Sequence, residues 1–256
     1  MTKWARFTAP DGAVALGQVE GDSVAVHTGL PWAQPQATGR LLPLAGLAWL
    51  PPCAPGKIIG LWNNFRAAAE KNRLAHPTEP LYFLKAPDCG AAHQQAVPAA
   101  APDVGRVVYE GELAIVIGRM AHRIAREEAA SCIFGYTCAN DITAIELLVR
   151  DPSFMQWTRA KSLPGFGALG PYIDTSFNPA GAMLRTLVGG RERQNYALDD
   201  MFFAPSDIVW RLSQDLLLAP GDVILCGTSL GAMPMKQGTT VDVVIDGLGT
   251  LTNTYG

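Results

Sequence analysis

The stretch VVYEGELAIVIG, residues 107–118, places Glu110 and Glu112 inside an apolar, β-branched run. Read as one strand, it points residues two apart to the same face, so the two carboxylates stand side by side on a mostly buried element. Like charges that close repel, and burying them is costly without a positive partner. An edge strand with a solvated face is the usual home of such acids. Here, however, the flanking residues are apolar on both faces, and Gly111 between the acids lets another group approach the backbone. A third acid, Asp141, closes the uncharged run GYTCAN. Three carboxylates supply hard oxygen ligands of the kind that hold Mg²⁺, Mn²⁺ or Ca²⁺ and leave positions open for water or substrate. The group expected between the acids is therefore a divalent cation.

The elements that must position these acids are mainly strands. From Lys57 onward, KIIGLW, LYFLKA, VVYEGELAIVIG, FGYTCANDIT, ALGPYIDT, DVILCG and TTVDVVIDGLGTLTNTY read as strands. Helices are fewer. They are NFRAAAEKNRLA, the short AREEAASCIFG with its acidic first turn, and PSDIVWRLSQDLLLAPGD, capped at Ser206 and ending before Pro220. Residues 1–55 read as a small N-terminal β-rich module, with hairpins split by Asp-Gly and Glu-Gly-Asp turns, then a Pro- and Gly-rich connector. Residues 56–256 form the main domain. The pattern is β-dominated α+β rather than alternating βαβ, and no GxGxxG or Walker loop supports a nucleotide site.

Bulk properties narrow the partners. The chain has 256 residues, 48% of them hydrophobic and 17% charged, as a well-packed globular protein requires. A net charge of −3 and scattered Lys and Arg give no basic stripe, so no nucleic-acid partner is expected. The five cysteines are odd in number and lack CxxC spacing, so they read as small buried hydrophobes in a reducing compartment. The N-terminus lacks a signal-peptide core and no apolar run reaches spanning length. A cytoplasmic location without a membrane partner is the expectation.

Taken together, YEGELAIVIG, GYTCANDITA, QWTRAKSLPGFGALGPYI, PGDVILCGTSLGAM and GLGTLTN resemble, in order and separation, the fumarylacetoacetate hydrolase superfamily over about residues 57–256. The N-terminal stretch is similar to the small β domain that many members carry. The resemblance implies a mixed β-roll catalytic domain around a metal held by Glu110, Glu112 and Asp141, with Mg²⁺ or Mn²⁺ as the usual ion. It implies a small-molecule 2-oxo acid or its enol as substrate, and a homodimer. Lys161 in RAKSLPGF matches the family lysine beside the metal and is the first catalytic candidate. Lys85 in LYFLKAPD, Gly227 and Thr228 in CGTSLGA, and Asn64 are the implied substrate contacts.

The departures from the family pattern are chemical. Hydrolytic relatives carry N-Y-x-x-H-x-x-E, whose His–Glu pair on a mobile lid activates water. Here NNFRAAAEK places Ala68 and Lys71 at those positions. Glu70 is one residue off, about 100° around a helix, and His76 precedes a proline; these two are the remaining acid–base candidates. After the metal aspartate, Ile145 and Leu148 replace an arginine and a glutamine. The sequence thus favours a metal-dependent enzyme on a 2-oxo acid, acylpyruvate-like acid or enolisable diketone. C–C cleavage by hydrolysis or decarboxylation ranks first. Isomerisation or tautomerisation of a 2-hydroxydienoate follows, then a binding homologue without catalysis.

Overall fold

A computed structural model describes residues 2–256. The largest sheet runs, strand by strand, through Gln36–Pro43, Ser23–Thr28, Val14–Glu20, Lys3–Thr8, Gly167–Asp174, Ile133–Asp141, Gly111–Ile117, Val223–Leu225, Ile58–Trp62 and Leu81–Lys85. A second sheet comprises Arg191–Ala197, Met183–Val188, Thr239–Ile245, Gly249–Tyr255 and Ala96–Val97. All seven residues of Gly111–Ile117 are buried, which explains why this run is continuously apolar rather than alternating. Leu113, Ile115 and Ile117 share one core with Leu184, Val243 and Ile245 of the second sheet. Ala114 and Val116, on the other face, pack with Leu169, Ile173 and Val223. The molecule is β-dominated α+β, as its sequence pattern predicts.

Four local expectations change. VVYEGELAIVIG is not one strand. Val107–Val108 belongs to a small three-stranded sheet with Thr143–Ala144 and Pro234–Met235, and the chain breaks at Tyr109 and Glu110 before entering the large sheet. The Pro- and Gly-rich connector contains strands Gln36–Pro43 and Ala48–Trp49, ordered by ladder bonds to the first hairpin although nearly every side chain of Gln36–Pro43 is exposed. The hairpin Met183–Val188 and Arg191–Ala197 is absent from the sequence reading. Its turn, Gly189-Gly190, has φ of 56° and 75°, the left-handed pair that a tight hairpin demands. Helix Pro205–Asp215 begins one residue before Ser206, with Pro205 in its first turn where the missing N–H costs nothing.

The N-terminal strands continue the large sheet, because Lys3 pairs with Asp174 and Trp4 with Ile173. They also hold their own apolar cluster, Ala5, Phe7, Ala9, Val24 and Val26. Among the described residues no helix is long and apolar enough to cross a membrane.

Candidate metal centre and its cavity

Glu112 and Asp141 come from adjacent antiparallel strands, in which Gly111 opposes Asn140 and Glu112 opposes Ala139. Glu110 sits in the break just ahead. Its N–H donates to Asn140 Oδ1 at 2.9 Å, and its carbonyl accepts from the Asp141 N–H at 2.9 Å. The break removes Glu110 from strand alternation, and these two bonds fix it to the same strand end as Asp141. One oxygen from each of the three acids lies within 4.8 Å of the others.

Two lysines enter this cluster. Lys161, last residue of the short helix Trp157–Lys161, donates to Glu110 Oε2 at 2.5 Å and to Asp141 Oδ2 at 2.6 Å. Lys85, last residue of strand Leu81–Lys85, is fully buried, pairs with Asp141 Oδ1 and donates to the Phe166 carbonyl at 3.0 Å. Burial would push the Asp141 carboxyl up, but the ammoniums of Lys161 and Lys85 more than offset it and hold it below the ordinary value. Glu112 has no ammonium bonded directly to it. Burial first, then the Asp141 charge, raises it well above the ordinary carboxylate range, against the pull of Lys161 and of the Gly227 N–H, which donates to Oε2 at 2.7 Å. Burial also raises Glu110, opposed by Lys161. Lys161 is itself raised: burial disfavours its charge, and Asp141, Glu110 and Glu112 prevail.

Three carboxylates against two ammoniums leave a formal charge of −1. The residues fit a divalent cation. All three donors are hard oxygens within joint reach, Glu112 has a raised carboxyl that a cation would relieve, and a cation would turn the site net positive, ready for an anionic substrate.

A cavity of about 310 Å³ opens beside the acids. Glu110, Glu112, Lys161 and Thr228 line it on the polar side. Trp62, Phe83, Trp157, Ile145 and Leu148 give it an apolar wall. The Phe83 and Trp157 rings stack at 5.1 Å and 16°, and Lys161 Nζ lies 4.9 Å from the Phe83 ring centroid. Ala68, Lys71 and Asn72, on helix Arg66–Asn72, and the polar side chains of Asn63, Thr143 and Ser229 also line it. A larger groove of about 470 Å³ runs between Phe134 and Pro205; its one acid, Asp199, is engaged by the Gly181 N–H.

Glu110, Glu112, Asp141 and Lys161 therefore come together, and Thr228 joins their cavity. The other sequence candidates lie elsewhere. Lys85 stands behind Asp141 and does not line the cavity. Asn64 is buried, donating to the Cys226 carbonyl at 2.8 Å and accepting from the Phe203 N–H at 3.1 Å, and so anchors loops. Gly227, at φ 88°, spends its N–H on Glu112. The Thr228 hydroxyl donates to the Gly111 carbonyl at 2.9 Å and accepts from Gln194 Nε2 at 2.9 Å. Glu70 and His76 are exposed and off the cavity lining, and the His76 ring rests 4.8 Å from Phe202. The helix turns Ala68 and Lys71 inward and Glu70 outward, as a 100° step requires.

Sequence reasoning missed Gln194 and Tyr196. Gln194 Oε1 accepts from the Gly111 N–H at 3.0 Å, and the Tyr196 hydroxyl donates to the Gly111 carbonyl at 2.6 Å. This hairpin braces the link between the two glutamates. A Cβ on residue 111 would lie 2.1 Å from Thr186 Oγ1, so the close approach read from Gly111 is that of the hairpin. The Gly189-Gly190 turn was the signal that could have revealed it.

Among known proteins, Mycobacterium tuberculosis protein Rv2993c is 35% identical over 261 residues, covering 97% of this chain and 96% of its own. Bacillus subtilis oxaloacetate tautomerase YisK is 34% identical, over 78% of this chain and 69% of its own. The crystal structure of a 5-carboxymethyl-2-hydroxymuconate delta-isomerase from Mycobacterium smegmatis superposes with a TM-score of 0.89 at 36% identity, over 99% of this chain and 98% of its own. Residues 2–52 match the Rv2993c-like, N-terminal family. Residues 57–255, which carry the three acids, Lys161 and every wall of the cavity, match the fumarylacetoacetate (FAA) hydrolase C-terminal family, and the chain belongs to the fumarylacetoacetate hydrolase superfamily.

Proposed function

We propose that this chain is a divalent-metal-dependent enzyme that interconverts the keto and enol forms of a 2-oxo acid, with decarboxylation beside the 2-oxo group as the second reaction its site supports. The carrying observation is the cavity lining. It joins the acid–lysine cluster to a wall on which Ala68 and Lys71 stand where a water-activating pair would be needed, while Glu70 and His76 lie outside. Hydrolysis, ranked first with decarboxylation on sequence, moves behind enolate chemistry for that reason.

Glu110, Glu112 and Asp141 would hold Mg²⁺ or Mn²⁺, which when bound supplies Lewis-acid stabilisation of a developing enolate. In the conversion a proton leaves C3 and the C2 oxygen gains one. Lys161, kept charged by its acidic neighbours, sets a hydrogen-bond donor at the polar end of the cavity, where that oxygen becomes negative. Lys85 fixes Asp141 from behind. The rings of Trp62, Phe83 and Trp157 limit water around the reactive enol. The activities in the names of YisK and the M. smegmatis isomerase are of this enol-shifting kind.

The test is the ultraviolet enol band of oxaloacetate. With Mg²⁺ the protein should accelerate its decay, EDTA should remove the acceleration, and Lys161→Met should reduce it by about 10²-fold or more. A fully metal-loaded protein that accelerates neither this change nor decarboxylation for any of a panel of 2-oxo acids would be a binding homologue instead.

A further inference from the structure

Lys71 occupies the cavity wall in a way the proposed chemistry does not use. Resting on that reading of the site, we infer that Lys71 recognises a second carboxylate, so that the cavity prefers dicarboxylic over monocarboxylic 2-oxo acids. Two cations line the cavity, Lys161 and Lys71. Lys161 is committed to Glu110 and Asp141. Lys71 forms no ion pair or side-chain hydrogen bond with any described residue, although the cavity beside it contains acids. Being exposed as well as lining, it stands at the solvent side of the cavity.

The remaining wall sharpens the point. Ile145 and Leu148, with Trp62, Phe83 and Trp157, give the cavity an apolar stretch, and its further polar side chains Asn63, Asn72, Thr143 and Ser229 carry no charge. A substrate bound by its 2-oxo acid end at the metal site and carrying a second carboxylate meets no other cation. Without Lys71 that carboxylate would have only aromatic rings and uncharged polar groups beside it, and no positive charge to offset the water it loses. With Lys71 it gains a charge-assisted bond beside a surface of low polarity, where pairing is stronger than on an open surface. Lys71 is thus a specificity residue on the helix, paired with a catalytic end fixed in the sheet.

The experiment separates binding from turnover. Mg²⁺-loaded protein is titrated calorimetrically with 2-oxoglutarate and with 2-oxohexanoate, which keeps the shape of the chain and replaces the distal carboxylate by an ethyl end. Wild type is expected to bind 2-oxoglutarate about tenfold more tightly. Lys71→Met should bring the two to parity by weakening 2-oxoglutarate alone, and Lys71→Arg should keep most of the preference. With oxaloacetate, Lys71→Met should raise KM and leave kcat nearly unchanged, the signature of binding shared by ground and transition states. Equal affinity of wild type for both acids, no binding of either, or equal weakening of both by Lys71→Met overturns the inference. A preserved tenfold preference in a protein that turns over no 2-oxo acid would sink the enolate reading and leave the role of Lys71 standing.

Discussion

The acid–lysine cluster and helix Arg66–Asn72 face the same cavity and are built in opposite ways. In the cluster, Glu112, Asp141, Lys85 and Lys161 are buried, and their polar atoms are tied to groups from separate chain segments. The helix has one buried residue, Ala69, and a left-handed C-cap at Arg73; its ties to the body are Arg66 to the Asp200 and Met201 carbonyls and the Ala67 N–H to Asp200 Oδ2. The contrast teaches where each task sits. Charge can be held in low dielectric only by a rigid, over-determined frame, so the end proposed to stabilise an enolate is held where strand ends, the break at Glu110 and the short helix of Lys161 meet. Selection among substrates needs less energy and tolerates motion, and the role proposed for Lys71 would place it on an exposed alanine-rich helix with little apolar area to dock.

The largest effect should come from breaking the frame. Glu112→Ala removes one oxygen donor and leaves the Gly227 N–H unpaired, and is expected to abolish both Mg²⁺ binding, read by calorimetry, and enol-band activity. On the helix side, a gain is expected. Ala68→His with Lys71→Glu restores a water-activating pair on the cavity wall, and should raise hydrolysis of a monocarboxylic acylpyruvate by about 10²-fold or more. Brisk hydrolysis by the wild type would remove the basis of this comparison.

Gly111→Ala probes the brace between the glutamates. Its Cβ collides with Thr186 Oγ1 on the adjoining hairpin, an overpacking worth about 1–3 kcal/mol of stability. Denaturant melts should show this cost together with weaker Mg²⁺ affinity, since the strain falls on the Gly111 peptide that links Glu110 and Glu112. Unchanged stability would mean that the hairpin yields.

A pH series on metal-free protein should give a smaller signal. Glu112 and Glu110 are raised in the folded state, so the native protein holds protons that the unfolded chain has lost. Stability from these two groups is therefore greatest near the unfolded glutamate value of about 4.3 and falls as pH rises above it. Asp141 has the opposite sign: its lowered carboxyl contributes above the unfolded value and that contribution disappears on acidification through the folded one. Thermal melts without metal should drop by a few degrees from mildly acidic to neutral pH, saturating Mg²⁺ should remove the drop, and Glu112→Gln should flatten it. The smallest expected change is amide exchange over residues 66–80, faster without ligand and slowed by oxalate with Mg²⁺; equal protection in both states would show that this segment is as fixed as the sheet.

Much of this was legible in the chain. The apolar settings of Glu110, Glu112 and Asp141 pointed to a cation before any fold was known, because charge in such surroundings demands a counter-charge. Lys161 beside the acids and Ala68 on the cavity wall were also readable, through ordered motifs. The strand carrying Glu110 was misread, because a break after Val108 has no compositional mark when both sides are apolar. Lys85 could be placed near the site but not behind Asp141, since which face of an edge strand meets an acid 56 residues away is set by sheet order.

What the sequence determined by itself is the inventory: three hard donors in apolar settings, two lysines expected near them, a glycine that lets another group approach, and an alanine at the position where the resemblance implies a base. Periodicity and residue chemistry are local, so they survive without coordinates. The tertiary structure decided the roles. Long-range pairing set Gln194 and Tyr196 against Gly111, tied Asn64 to the Cys226 carbonyl and the Gly227 N–H to Glu112, and put the exposed Lys71 on the cavity rim and Glu70 off it. Those outcomes depend on register and on the phase of one short helix, and a single-residue shift in either changes the side chain presented without altering composition.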